Sequence, residues 1–289
     1  MHWEPEDDWV ALTAGTGVSN GGVWLTPGGL VAKRLLPGVE RPDHYAYWRR
    51  PAEVASSGLV EGTAGVRAPR CVKVDSDPDG VTVWSVAVSP VAIAPEELAA
   101  AVGRFGLNSM VPTEWFARRI LRDRLANDEQ GDGWAPLAGE DRLPVGLRRD
   151  CEALWARRYE LMDELDALPQ QVVHGDAHPV NLLGCEGDEV IAVDWEQFGV
   201  GPVGFDLAYL VVSTPAPIDV LLPAFQAGSR SAWPVEAVRR GAVLTAAITV
   251  VARAAWSLRQ VEPGDYLERL ERLAQVVEEA ARQAAWKAG

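Results

Sequence analysis

His174-Gly175-Asp176-Ala177-His178-Pro179-Val180-Asn181, followed by Val193-Asp194-Trp195-Glu196, is the stretch on which the reading of this chain turns. Short apolar runs at 171–173 and 190–193 flank the cluster, and Glu186-Gly187-Asp188 makes a turn between its halves. Runs of this length bounded by turn residues predict strands. The expected local structure is a strand–loop–strand hairpin that brings two carboxylates and one amide, Asp176, Asp194 and Asn181, to a single edge.

That donor set suits phosphoryl transfer. The reaction asks little covalent chemistry of a protein; it needs positioned Mg²⁺, a carboxylate for the incoming hydroxyl and positive charge over the phosphates. Mg²⁺ takes hard oxygen ligands and keeps several waters, so one Asp and one Asn oxygen suffice from the chain. Asp194 and Asn181 fit that pair, which leaves Asp176 to orient or deprotonate the hydroxyl. A metal-dependent hydrolase also uses His and Asp, but such sites usually need several histidines. This chain has four, two of them the distant His2 and His44.

The same residues resemble the aminoglycoside phosphotransferase and choline kinase-like family, relatives of the protein kinases. The family's catalytic loop, H-G-D-x-H-x-x-N, stands here as H-G-D-A-H-P-V-N, and its metal motif as V-D-W-E at 193–196. The segment G-P-V-G-F-D-L-A at 201–208 is similar to the family stretch that ends in D-L-A. The resemblance implies a bilobal protein kinase-like fold with ATP or GTP between the lobes and Mg²⁺ as cofactor. It implies Asp176 as the catalytic carboxylate, Asn181 and Asp194 as metal ligands, and His174 and Asp206 as supports of the loop. His178 reads more simply as a packed, hydrogen-bonded loop residue.

Upstream, the glycine-rich segment 15–22 reads as a loop whose N–H groups can face anionic oxygen. By resemblance its Ser19 and Asn20 lie nearest the phosphates, and Lys33 in Leu30-Val-Ala-Lys-Arg-Leu35 is the strand lysine that meets them. Glu53 is the natural helix partner for that lysine. Pro51 departs from the family pattern where an acidic residue is common, which puts the Lys33–Glu53 pair in question. The base is expected against backbone groups of residues 85–90.

Around these motifs the chain divides. Residues before 89 read as short strands with tight turns at Thr26-Pro27-Gly28-Gly29 and Asp77-Pro78-Asp79-Gly80, chemistry suited to hairpins. Segment 44–59 reads as a helix that Pro51 breaks or delays. From Pro95 onward, helices are expected at 96–104, 114–126, 145–167, 236–259 and 263–287. The fold class is therefore α+β. It comprises a nucleotide-binding lobe at 1–88, a connector at 89–94, and a catalytic and acceptor-binding lobe at 95–289.

Composition bounds the partners. A formal net charge of −14 argues against nucleic acid, whose phosphates select basic surfaces. The three cysteines, Cys71, Cys151 and Cys185, lack zinc or disulfide spacing. The first residues carry no apolar signal segment. The longest uncharged apolar stretch, between Arg240 and Arg253, is too short to span a bilayer. A cytoplasmic protein with no membrane partner is expected. The acidity fits either plain solubility or a cationic ligand. Segment 127–141, acidic and glycine-punctuated, offers Asp128, Glu129, Asp132 and Trp134 as acceptor-binding residues. The acceptor expected from resemblance and charge is an amino sugar or aminoglycoside-like antibiotic. A neutral sugar, a choline-like alcohol or a nucleoside natural product is the alternative, and a nucleotide-gated pseudokinase the outsider.

Overall fold

The computed structural model describes residues 3–12, 20–261 and 264–282. Its N-terminal lobe runs β1 (Val10–Leu12), β2 (Asn20–Leu25), β3 (Leu30–Leu35), α1 (Arg50–Ser57), β4 (Val66–Arg67), β5 (Cys71–Asp77) and β6 (Gly80–Val86). Five of the strands form an antiparallel sheet in the order β1-β2-β3-β6-β5. Gly29, at φ 73°, closes the β2–β3 turn, a backbone angle that favours glycine. At the β5–β6 turn the Asp77 carboxylate accepts the Asp79 N–H at 2.8 Å. Register sets Val23 and Val83 on either side of Lys33, so apolar neighbours flank the lysine on one face of the sheet.

The opposite face buries Arg34, whose guanidinium makes a two-pronged pair with Asp77, both contacts at 2.7 Å. Trp3 lies over that guanidinium at 4.9 Å. Trp3 also packs on Trp9 and Trp24, and Trp9 on Trp84. The acidic residues at the start of the chain are thus tied to the sheet by aromatic contact.

The C-terminal lobe is predominantly helical. It contains α2 (Pro95–Phe105), α3 (Ile120–Glu129), α4 (Ala135–Ala138), α5 (Val145–Ala156), α6 (Arg158–Ala167), β7 (Gln170–Val173), β8 (Leu182–Glu186), β9 (Glu189–Ala192) and β10 (Gly199–Pro202). Then follow α7 (Phe205–Ser213), α8 (Ile218–Gly228), α9 (Val235–Ser257), α10 (Tyr266–Arg272) and α11 (Ala274–Arg282). Helix α7 is buried from Phe205 to Val212, and α9 is buried along most of its length. These two helices pack on each other in the lobe, while the β7–β10 pair lies against α2 and α6 and the β8–β9 hairpin against α2. Among the described residues no helix is long and apolar enough to cross a membrane.

Several helices differ from expectation. The 114–126 segment turns helical only at Ile120, because Ala117 is held by the edge of β10: it donates to Phe198 and accepts from Val200, both at 3.0 Å. The 145–167 segment is two helices, broken at Arg157 with φ −102° and ψ 10°. The 263–287 segment is likewise two helices as far as Arg282. The 44–59 helix starts late, and Pro51 falls in its first turn, where a missing N–H costs nothing. Helices α7 and α8 escape a periodicity search: the first has no polar face, and Pro223 interrupts the second.

Among the contacts that tie the lobes together, two are built into the backbone and core. β4 pairs in parallel with β9. Arg50 is fully buried and donates to the carbonyls of Pro42, His44, Tyr45, Trp115 and Glu196. The connection between β6 and α2 is irregular, and its Val91 N–H bonds Leu183 O on β8 at 2.7 Å.

Candidate active site

The loop after β7 carries His174, Asp176 and Asn181 and is shaped by its glycine. Gly175 has φ +85°, and a Cβ there would lie 2.3 Å from the Gln197 carbonyl oxygen, so no other residue fits without displacement. Asp206, at the start of α7, is fully buried and accepts the backbone N–H groups of His174 at 2.8 Å and Gly175 at 3.0 Å. Burial pushes its carboxyl above the ordinary value against the pull of these bonds. The His174 ring bonds the Val193 carbonyl at 3.0 Å and lies against Trp195. The loop is therefore locked to both β9 and the turn that follows it.

Asn181 bridges back to the loop. Its side-chain N–H₂ donates to the Asp176 carbonyl at 2.9 Å and to Asp176 Oδ2 at 3.2 Å. Asp194 follows β9 in a left-handed conformation, φ 63°, which aspartate tolerates better than most side chains. Across the gap between the lobes, Lys33 Nζ meets Asp194 Oδ1 at 2.6 Å and Glu196 Oε1 at 3.2 Å. Burial works against the lysine charge, yet the two carboxylates outweigh it and hold its pKa above the usual value. Burial likewise opposes ionisation of Asp194, and Lys33 overcomes it, keeping that carboxyl low. Glu196 is pushed up by burial despite Lys33.

Lys33, Asn181 and Asp194 all line one interlobe cavity of about 410 Å³. Its walls are apolar from both lobes, with Val23, Val31 and Val83 on the sheet side and Val180 and Leu183 below. Ser85, Val86 and Val88 form its inner edge. The residues present fit Mg²⁺ by donor chemistry. Asn181 and Asp194 supply hard oxygens at the cavity wall, and Asn181 turns its amide nitrogen toward Asp176. Among the described residues no cluster of three His, Cys, Asp or Glu could hold a metal by itself.

Glu53 is not the partner of Lys33: among the described residues no ion pair or hydrogen bond joins them, and both lysine partners come from the C-terminal lobe. Helix α1 instead presents Pro51, Val54 and Ala55 to the cavity. The departure at Pro51 therefore goes with a different wiring of the lysine. Ser19 lies outside the described residues. Asn20 begins β2, and its side chain falls outside the description.

A second cavity of about 400 Å³ lies in the C-terminal lobe, lined by residues of α3, α9 and α10 and by Tyr45. Arg253 on its wall reaches Asp176 Oδ1 at 3.4 Å, which sets this cavity beside the loop. Of the four residues expected on the acceptor side, Asp128 lines it. Glu129 is held by Arg158 at 2.6 Å and by Tyr159. Asp132 is exposed, and Trp134 is buried against Trp155 with no face for a ligand. The polar composition of 127–141 hides a turn of helix, α4, that seats Trp134 in the core. His178 is buried, 3.5 Å from Asp176, and burial pushes its pKa down to about 4, so the ring is neutral near pH 7.

Sequence reading missed Glu196, Arg50, Arg124 and Arg253. Glu196 stands inside the quoted V-D-W-E motif. Arg253 ends the long uncharged apolar run of α9, where an isolated arginine was itself a signal. Nothing local marked Arg50 or Arg124.

Comparison with known proteins finds a family match and matches of overall fold. The model of the phosphotransferase enzyme family matches residues 95–242. The chain is similar to the GDP complex of aminoglycoside 2'-phosphotransferase-IIIa, with TM-score 0.59 and 15% identity over 94% of this chain and 92% of that one. It is similar to a choline/ethanolamine kinase family protein from Mesorhizobium loti, with TM-score 0.61 and 19% identity over 96% and 88%. A streptomycin–ATP complex of APH(2")-IIa gives TM-score 0.58 and 12% identity over 95% and 92%. At such identities the likeness is one of fold. Among curated proteins, none matches.

Proposed function

The chain belongs to the phosphotransferase enzyme family, and we propose that it moves the γ-phosphoryl group of ATP or GTP onto a hydroxyl of a small molecule. The observation that carries this reading is the convergence of Lys33, Asn181 and Asp194 on one interlobe cavity, with Asp176 hydrogen-bonded to Asn181 at its edge. Pockets of about 300–1,000 Å³ with apolar walls and few polar groups are the usual form of a small-ligand site. The relatives of similar fold were solved with GDP and with ATP.

In this reading the base lies between the valines of the sheet and Val180 and Leu183, near Val86 and Val88. Lys33 faces the phosphates, and Ser19 and Asn20 are the residues of the glycine-rich segment proposed to bind them. Asn181 and Asp194 hold Mg²⁺, which when bound offsets the phosphate charge. Asp176 accepts the hydrogen bond, and then the proton, of the acceptor hydroxyl, and Asp206 fixes the backbone that carries it. Lys33 is already charged and desolvated in its pair with Asp194, so it meets the phosphates without a protonation step.

The test is calorimetric titration of MgATP and MgGTP into the wild type and Asp194→Ala. Binding to the wild type and its loss in the variant is expected. Unchanged affinity in the variant would move the metal and nucleotide elsewhere. The acidic segment 127–141 contributes Asp128 alone of its four expected acceptor residues to the second cavity, so the acceptor class rests on that cavity's own chemistry.

A further inference from the structure

The second cavity carries charge opposite in sign to that of the protein around it. Two guanidiniums, Arg124 and Arg253, face it, against the single carboxylate of Asp128. Among the described residues no carboxylate lies within ion-pair distance of Arg124. Its hydrogen bonds go to neutral groups, the Tyr209 hydroxyl and Gln197 Oε1. Arg253 bonds the Tyr266 hydroxyl at 3.1 Å, and its acidic contact, Asp176, stands at 3.4 Å, beyond the length of a strong charge-assisted bond. Asp128 is a weak counter-ion: burial raises its pKa, and Trp134 takes up one of its oxygens at 3.3 Å.

This arrangement is costly unless something completes it. A half-buried cation among neutral partners is less favourable than one paired with an anion, and a chain of net charge −14 does not lack carboxylates. Arg253 has a role open to it beside Asp176, facing the transferred group. Arg124 makes no ion pair with Asp176; its hydrogen bonds and the Tyr45 and Tyr209 rings it lies over, at 5.4 and 5.7 Å, are all neutral partners. Tyr45 and Trp256 add aromatic surface to the same walls, suited to covering a ring or an apolar body.

We propose that the second cavity binds an acceptor that carries an oxyanion, carboxylate or phosphate, beside its reacting hydroxyl, with Arg124 as the main anion-binding residue. The proposal rests on the interlobe cavity being the nucleotide site. It replaces the cationic acceptor that the overall acidity of the chain suggests, since the cavity wall is of the other sign.

The experiment uses three matched panels: hydroxy acids with sugar phosphates, their neutral amides or free sugars, and amino alcohols with aminoglycosides. Each is scored for acceptor-dependent ATP consumption and, separately, for calorimetric binding without nucleotide. Turnover is expected to concentrate in the anionic panel, with kcat/KM about tenfold or more above the neutral counterpart, as for a partly buried charge pair. Arg124→Gln should raise KM for the anionic acceptor by about tenfold while shifting its neutral counterpart about twofold or less, and Arg124→Lys should recover part of the loss. The responding half of the panel tells carboxylate from phosphate. Preference for neutral or cationic compounds, equal sensitivity of both to Arg124→Gln, or no turnover of any panel by a protein that binds MgATP would each overturn the proposal. A protein that fails to bind MgATP yet binds the anionic compounds selectively would sustain it and strike the nucleotide reading alone.

Discussion

Lys33 Nζ stands 2.6 Å from Asp194 Oδ1, so the strand lysine of one lobe is ion-paired to the aspartate that follows β9 in the other. Glu196 completes the triad at 3.2 Å. The lysine is thus oriented from below, by the same turn that carries the proposed metal ligand, and not by the helix of its own lobe.

A pair of substitutions separates these two wirings. Glu53→Gln should change kcat/KM for MgATP by about threefold or less, since among the described residues its partly exposed carboxylate makes no ion pair with Lys33. Glu196→Gln should lower it by about tenfold or more, because a charge-assisted bond in a desolvated site is lost. Steady-state kinetics at fixed acceptor checks both. The reverse order would return Lys33 to Glu53.

Arg50 should behave as a structural lock between the lobes. Five carbonyls from three segments converge on its buried guanidinium. Arg50→Met leaves them without a donor, at a cost of about 3–5 kcal/mol in urea unfolding. Arg50→Lys should recover little, since an ammonium cannot reach the planar fork. A loss below about 1 kcal/mol would mean that water replaces the side chain freely.

How much of this was legible in the sequence depends on how local each feature is. His174 to Asn181 and Asp194 sit close together in the chain with fixed spacing, so their meeting was readable. The expected hairpin of 171–173 with 190–193 does not form: β7 pairs with β10, and β9 with β8 and β4. Lys33 could be named, but its partner could not, because Asp194 and Glu196 lie far along the chain and only the fold brings them near. The acceptor side was the least legible, for a physical reason. Net charge is a property of the whole surface, whereas Arg124 and Arg253 come from separate helices and define the local sign. Trp134 misled because its neighbours are polar while its own ring is core. Helix α7 was invisible because a helix buried all round has no period to detect.

The Arg34–Asp77 pair gives a pH signature. Hydrogen bonds from Arg34 hold the Asp77 carboxyl down at about 2. A depressed folded-state pKa supplies stability above the unfolded value, near 3.8, and loses it as pH falls through about 2. Asp77→Asn should therefore melt below the wild type at pH 7, and the gap should close as pH drops from about 4 to about 2. Melting curves across that range would read it. A gap that stays constant would assign the effect to the turn geometry instead.

The thiols should react with a thiol reagent in order of exposure. Cys185 is exposed, whereas Cys151 is buried with its thiol pushed up to about 12. In the native protein a disulfide reagent should react first with Cys185, more slowly with half-buried Cys71, and with Cys151 only on unfolding. Cys185→Ser should remove the fast phase. A fast phase that survives would place Cys151 or Cys71 in contact with solvent.

The role of Asp176 is tested most directly by comparing nucleotide binding with phosphoryl transfer in Asp176→Asn. The variant keeps the shape of the side chain and one acceptor oxygen for Asn181, but it removes the base. Quench-flow measurement of γ-phosphoryl loss from bound MgATP, alongside MgATP titration of the same protein, separates the two steps. The expected result is affinity close to wild type with transfer slowed by about 10²-fold or more, the usual scale for a positioned acid–base group. Transfer at the wild-type rate would contradict the assignment of Asp176 and, with it, the account of this site as a phosphotransferase centre.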